Sequence, residues 1–132
     1  ADILRKRASS PKYQVHNNAL LTVQQNDPFT KIKYDPARWG RIVESAVGAH
    51  LINASLTHDF NLYYWRERDY EADFVLERNG KLVAVEVKTN DAKNTKGLIQ
   101  FRNHYPQTRI VLIGKSGIPW EEFLTVNPVE LF

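Results

Sequence analysis

The sequence predicts an α/β domain whose elements run in the order α, β, β, β, α, β. Three observations carry this reading. Apolar residues recur at helical spacing after Asp35-Pro36. An Asn79-Gly80 pair joins two strand-like runs, and a short helical stretch before Pro106 separates them from one more compact strand.

The first helix begins at residue 36. Asp35 can cap it, and Pro36 suits a first turn, where its missing N–H costs no intrahelical bond. Trp39, Ile42, Val43, Ala46 and Val47 follow at helical spacing, with an end expected near Asn53 or Ala54. Apolar residues occupy much of the circumference, so the helix should be well covered. Three strands follow at residues 61–66, 71–78 and 81–89, each rich in aromatic or β-branched side chains. Lys96-Gly97-Leu98 opens a second helix ending near Tyr105. Residues 109–113 read as a strand, 114–119 as a loop and 120–124 as a last short helix.

Residues 1–35 form a basic arm with weak periodicity. Ser9-Ser10-Pro11 and Asn26-Asp27-Pro28 read as turns, and residues 19–23 as an apolar patch of helix or strand. Seven basic residues stand against three acids up to Arg38, whereas the remainder of the chain, net +3 in total, is close to neutral. Arg5-Lys6-Arg7 either contacts phosphate or forms a solvated flank.

Bulk composition bounds the chemistry. At 132 residues and 42% hydrophobic, the chain is expected to be one domain with a real core. It contains no cysteine, which removes disulfides and cysteine-based zinc sites. His16, His50, His58 and His104 are scattered, without the close spacing of a zinc site, and are expected to be structural or exposed. No run approaches the length of a membrane span, and no signal-peptide pattern is seen, so a cytoplasmic location is expected. The chain lacks methionine and starts at Ala1, which fits a piece of a longer protein.

The hairpin holds the chemistry. Asn-Gly favours a two-residue type I′ turn. Counting outward, Arg78 then pairs with Lys81, Asp73 with Glu86, and Glu71 with Lys88. Opposed and alternate residues share a face, so Glu71, Asp73, Glu86 and Lys88 point one way. Ala72, Phe74, Leu76, Val83, Val85 and Val87 make the other, core face. Two opposed carboxylates repel, and a hard divalent cation between them would remove the penalty. Lys88 could then orient water or stabilise charge on a phosphate. A plain cross-strand ion pair and two solvated acids would look the same in sequence. Glu44 adds a carboxylate on a largely apolar helix, in a stripe with Gly48 and Leu51. It either reaches the hairpin site, reaches solvent at the helix flank, or pairs with Arg41 or another element.

An acid on the first helix, an Asp on the second strand and Glu-x-Lys on the third resemble the PD-(D/E)XK nuclease superfamily. The text from Trp39 to Gly48, then Tyr63-Tyr64-Trp65-Arg66, Glu71-Ala72-Asp73-Phe74-Val75-Leu76 and Val85-Glu86-Val87-Lys88, is similar to one branch. That branch is the uncharacterised C-terminal domain of prokaryotic AAA-type ATP-binding proteins. The likeness spans about Arg5 to Phe132, with Ala72 in place of the superfamily's proline.

The resemblance implies a restriction-endonuclease-like core with a mixed sheet and helices packed on it over residues 36–132. Residues 1–35 would end a linker from an absent ATPase module, the domain's expected partner. It implies Glu44, Asp73 and Glu86 as ligands of Mg²⁺ or Mn²⁺ and Lys88 as the catalytic lysine, with Gln100 as an accessory group. Apart from the resemblance, Arg66 and Arg68, which flank the site strand, could meet phosphate or could equally pair with Glu67, Asp69 or Glu71. No phosphate-binding loop is present, so ATP is not expected to bind here. The expected function is metal-dependent hydrolysis of nucleic-acid phosphodiesters. The alternative is an inactive nuclease-like module that binds nucleic acid or protein, or helps assemble the ATPase.

Overall fold

A computed structural model describes residues 3–6, 35–89 and 95–132 of the chain, so the turns and the apolar patch expected within residues 9–28, together with Arg7 and His16, lie outside the described residues. Helix α1 (Pro36–Thr57) starts where the cap predicts. The Asp35 carboxylate accepts from the Arg38 N–H at 3.3 Å. The helix continues past Ala54 to Thr57, and its last polar residues bond backward. The Ser55 and Thr57 hydroxyls donate to carbonyls three or four residues earlier.

Strands β2 (Asn61–Glu67), β3 (Tyr70–Arg78) and β4 (Lys81–Lys88) form an antiparallel meander. Helix α2 (Lys96–His104) returns the chain to β5 (Arg109–Gly114), which lies parallel to β4. The sheet is therefore mixed, as expected. The short helix α3 (Trp120–Phe123) and a 3₁₀ turn at Pro128–Leu131 close the chain. One strand was not expected. Within the arm, β1 (Ile3–Lys6) pairs antiparallel with β2 and makes the sheet five-stranded, in the order β1-β2-β3-β4-β5.

The β3–β4 hairpin has the register counted from its turn, from Arg78↔Lys81 to Phe74↔Val85. Asn79 and Gly80 both have positive φ, 51° and 80°, which a type I′ turn requires. Glu77 braces the turn. Its carboxylate accepts from the Asn61 amide and the Gly80 N–H, and these bonds hold its pKa below the usual carboxylate value.

Both faces of the hairpin are covered, which corrects the expectation of one core face and one charged face. On one face, Val43, Val47 and Leu51 of α1 pack with Phe123 on Phe74, Leu76, Val83, Val85, Val111 and Ile113. On the other, Leu98 and Phe101 of α2 pack on Trp65, Ala72, Val75 and Ala84. Ala72 thus lies on the face opposite the one expected. The cause is a bulge. Tyr63 pairs with Val75 but Trp65 pairs with Ala72, so Asp73 and Phe74 together oppose the single residue Tyr64. The extra residue breaks the alternation of β3, re-aims the side chains beyond it, and ends the paired ladder with β4 at Phe74.

Among the described residues no helix is long and apolar enough to cross a membrane.

Candidate functional site

Where the β3–β4 ladder stops, side chains take over. The Asp73 carboxylate accepts the Val87 N–H at 3.2 Å through Oδ2, a bond reaching from β3 to β4 beyond the last backbone pair. Glu86 follows Val85 on β4, with β5 alongside at Leu112. Its even position directs it to the face that carries Ala84 and α2, and it is only 7% exposed.

Such burial is costly for a carboxylate. Glu86 is compensated only in part, by Lys88 and by the backbone of Asp73. Its Oε1 lies 3.2 Å from the Lys88 Nζ, two residues along the same face, while its Oε2 is buried and has no hydrogen-bond partner. Burial, reinforced by the nearby charge of Asp73, pushes the Glu86 pKa up to about 8, against the opposing pull of Lys88. A buried acid short of one partner beside a second acid is an arrangement that a cation would relieve.

Glu86 and Lys88 open onto a cleft of about 550 Å³. The other lining comes from Glu71, from the turn between β2 and β3, and from the first turn of α2. A Cβ on Gly97 would overlap the Glu71 carbonyl, so only glycine lets α2 lie this close to β3. That contact brings the first turn of α2 into the cleft lining next to Glu71.

Residues 39–132 match the family model of a domain of unknown function, DUF4143. The chain belongs to that family. No curated protein and no solved structure matches it. The matched stretch of this DUF4143 domain starts in the first turn of α1 and contains Glu44, Asp73, Glu86, Lys88, Gln100 and Arg66, while β1 precedes it.

The DUF4143 domain brings some expected residues together and separates others. Asp73, Glu86 and Lys88 are neighbours. Glu44 is half-buried on α1, the layer that covers the opposite sheet face from Glu86. It is one turn on from Gly40, where an added Cβ would meet Thr89 Oγ1 at 3.1 Å, so its stripe runs toward the end of β4. Among the described residues no three His, Asp or Glu side chains are gathered closely enough to hold a metal, so the expected three-carboxylate group is not assembled. The side chains that converge are two. Magnesium commonly binds through one or two carboxylates and keeps several waters, so Asp73 and Glu86 fit such an ion.

Gln100 and Arg66 lie outside the cleft lining. The Gln100 amide donates to Glu67 at 3.0 Å, and the other Glu67 oxygen is 2.6 Å from His104 Nε2. This clamp ties α2 to the end of β2 and was not expected from sequence. Gln100 and His104 sit four residues apart, which puts them on one helix face, but nothing local points to Glu67. Arg66 is exposed and pairs in register with Glu71. The remaining described histidines have structural contacts. His50 Nε2 is 2.7 Å from the Val126 carbonyl oxygen, and His58 is 3.4 Å from the Asn127 amide. Trp65 is fully buried against Phe101.

Proposed function

We propose that this domain is a divalent-metal-dependent nuclease module that hydrolyses phosphodiesters of nucleic acid. The observation that carries the reading is Glu86: a buried carboxylate with one oxygen on Lys88, the other without a hydrogen-bond partner, and Asp73 beside it. Asp73 and Glu86 would hold Mg²⁺ or Mn²⁺. When bound, the cation would offset their charge and polarise a phosphoryl oxygen. Lys88, half-exposed to the cleft, would meet the scissile phosphate and stabilise charge that develops on it. The Val87 N–H fixes the Asp73 carboxylate, and so limits the reorganisation needed on binding.

The PD-(D/E)XK resemblance of the sequence supports the same roles and assigns Glu44 as a third ligand. It also makes the domain the C-terminal part of an AAA-type ATPase, whose ATPase module would be its partner. Calorimetric titration of Mn²⁺ and Mg²⁺ into wild type and Asp73→Ala, followed by cleavage assays on plasmid, single-stranded DNA and RNA, tests the reading. Saturable binding lost in the variant, with metal-dependent cleavage, is expected. The absence of a gathered three-carboxylate group among the described residues favours a second reading, a nuclease-like module that binds nucleic acid or protein, or supports ATPase assembly, without turnover. Metal-independent binding with no cleavage in any metal would establish that one instead.

A further inference from the structure

The rim of the cleft carries a feature the catalytic proposal does not use. Strands β2 and β3 are joined by the two-residue turn Arg68-Asp69, closed by the pair Glu67↔Tyr70. Arg68 adopts φ of 54°, a left-handed conformation uncommon for a non-glycine residue. The turn sets Arg68 and Tyr70 at the mouth of the cleft, and Lys96 of α2 lines it too. Tyr70 is 36% exposed, one of three large hydrophobic residues left open among the described residues. It belongs to neither core cluster and makes no ring contact there.

Charge alone does not account for a nucleic-acid site here. Arg68, Lys88 and Lys96 stand in the lining with Asp69, Glu71 and Glu86, so the positive surplus is at most one charge. Attraction to a phosphate backbone is therefore weak before a cation binds, and another contact must hold the substrate. An open aromatic ring beside a basic residue provides it, because every base has a face that stacks on such a ring. Shape favours the same substrate. Glu86 is recessed, and the cleft, at about 550 Å³, is the size of a small-molecule site (roughly 300–1,000 Å³) rather than a duplex groove. An unpaired strand can lower one phosphate into it, whereas a duplex holds its bases in the stack.

We infer that Tyr70 and Arg68 form a binding subsite for one unpaired nucleotide, which makes single-stranded nucleic acid the substrate class of the cleft. The inference rests on the proposed nuclease reading for the position of the scissile phosphate. Tyr70 stacks the base, and Arg68 meets the adjacent phosphate from the rim.

The test uses the full chain with Ca²⁺ and a thymidine oligonucleotide containing one 2-aminopurine, as single strand and as blunt duplex. Wild type should bind the single strand at least about tenfold more tightly and quench the fluorescent base. Tyr70→Ala should lose the quench and weaken single-strand binding by about 5- to 150-fold. Tyr70→Phe, which keeps the ring, should retain the quench. Unchanged melting temperatures show that the variants fold. Equal single-strand affinity in wild type and Tyr70→Ala, or tighter binding of the duplex, overturns the subsite. Metal-dependent cleavage by wild type and its loss in Glu86→Gln are read in parallel. If they are seen while Tyr70→Ala binds normally, the subsite fails and the nuclease reading stands. If Tyr70→Ala behaves as expected but no metal supports cleavage, the subsite stands and the nuclease reading fails.

Discussion

Replacing Glu86 by glutamine should stabilise the metal-free domain at alkaline pH. Glu86 holds its proton up to about pH 8 in the folded chain, against an ordinary value of 4.5. Between those values the folded state keeps a proton that the unfolded state has released. Stability therefore falls as pH rises through the window and levels off above it. At about 1.4 kcal/mol for each pH unit between the two values, the loss has an upper bound near 5 kcal/mol. The pull of Lys88 is already contained in that value, and local relaxation and water penetration reduce the loss further, so about 1–3 kcal/mol is expected. Glu86→Gln removes the charge but keeps the shape. In thermal melts with chelator it should match wild type near pH 4.5 and exceed it at pH 8.5. Each kcal/mol should appear as a rise of about 3–5 °C for a chain of this size. Mn²⁺ in excess should reverse the order, raising the wild-type midpoint and leaving the variant unmoved. A gap that does not change with pH, or a variant less stable than wild type at pH 8.5, would refute the account of Glu86 as a strained buried charge.

Lys88→Ala removes the group opposing the rise in the Glu86 pKa. The fold should survive, metal affinity at pH 7 should drop, and cleavage should fall by about 10²-fold or more in a single-turnover assay. Gly97→Ala places a methyl against the Glu71 carbonyl, and denaturant unfolding should show about 1–3 kcal/mol of lost stability together with weaker metal binding. Glu44→Gln asks whether α1 contributes a ligand. Calorimetry should show weakened Mn²⁺ binding if it does, and unchanged affinity would confine the site to Asp73 and Glu86.

Local signals decided much of this architecture. The N-cap of α1 needs only Asp35 and Pro36, because the bond it makes spans three residues. The β3–β4 register needs only Asn79-Gly80, because a two-residue turn with positive φ at both positions leaves one way to pair Arg78 with Lys81. From that register the proximity of Asp73, Glu86 and Lys88 was readable in the sequence. What the sequence did not disclose depends on partners distant in the chain. The bulge at Asp73-Phe74 arises from pairing with Tyr64, and it moved Ala72 to the α2 face. The burial of Glu86 comes from its place between β3 and β5 under α2, and the isolation of its Oε2 follows from that burial. Gln100 turned to Glu67 because the α2 crossover lies over the end of β2, and Glu44 was carried to the other layer by the packing of α1. Sequence alone brought the candidate residues Asp73, Glu86 and Lys88 to one end of the hairpin, since short-range turn geometry sets the register that leads to them. Tertiary structure decided which of them is desolvated and what surrounds it, since desolvation depends on every element packed around the site.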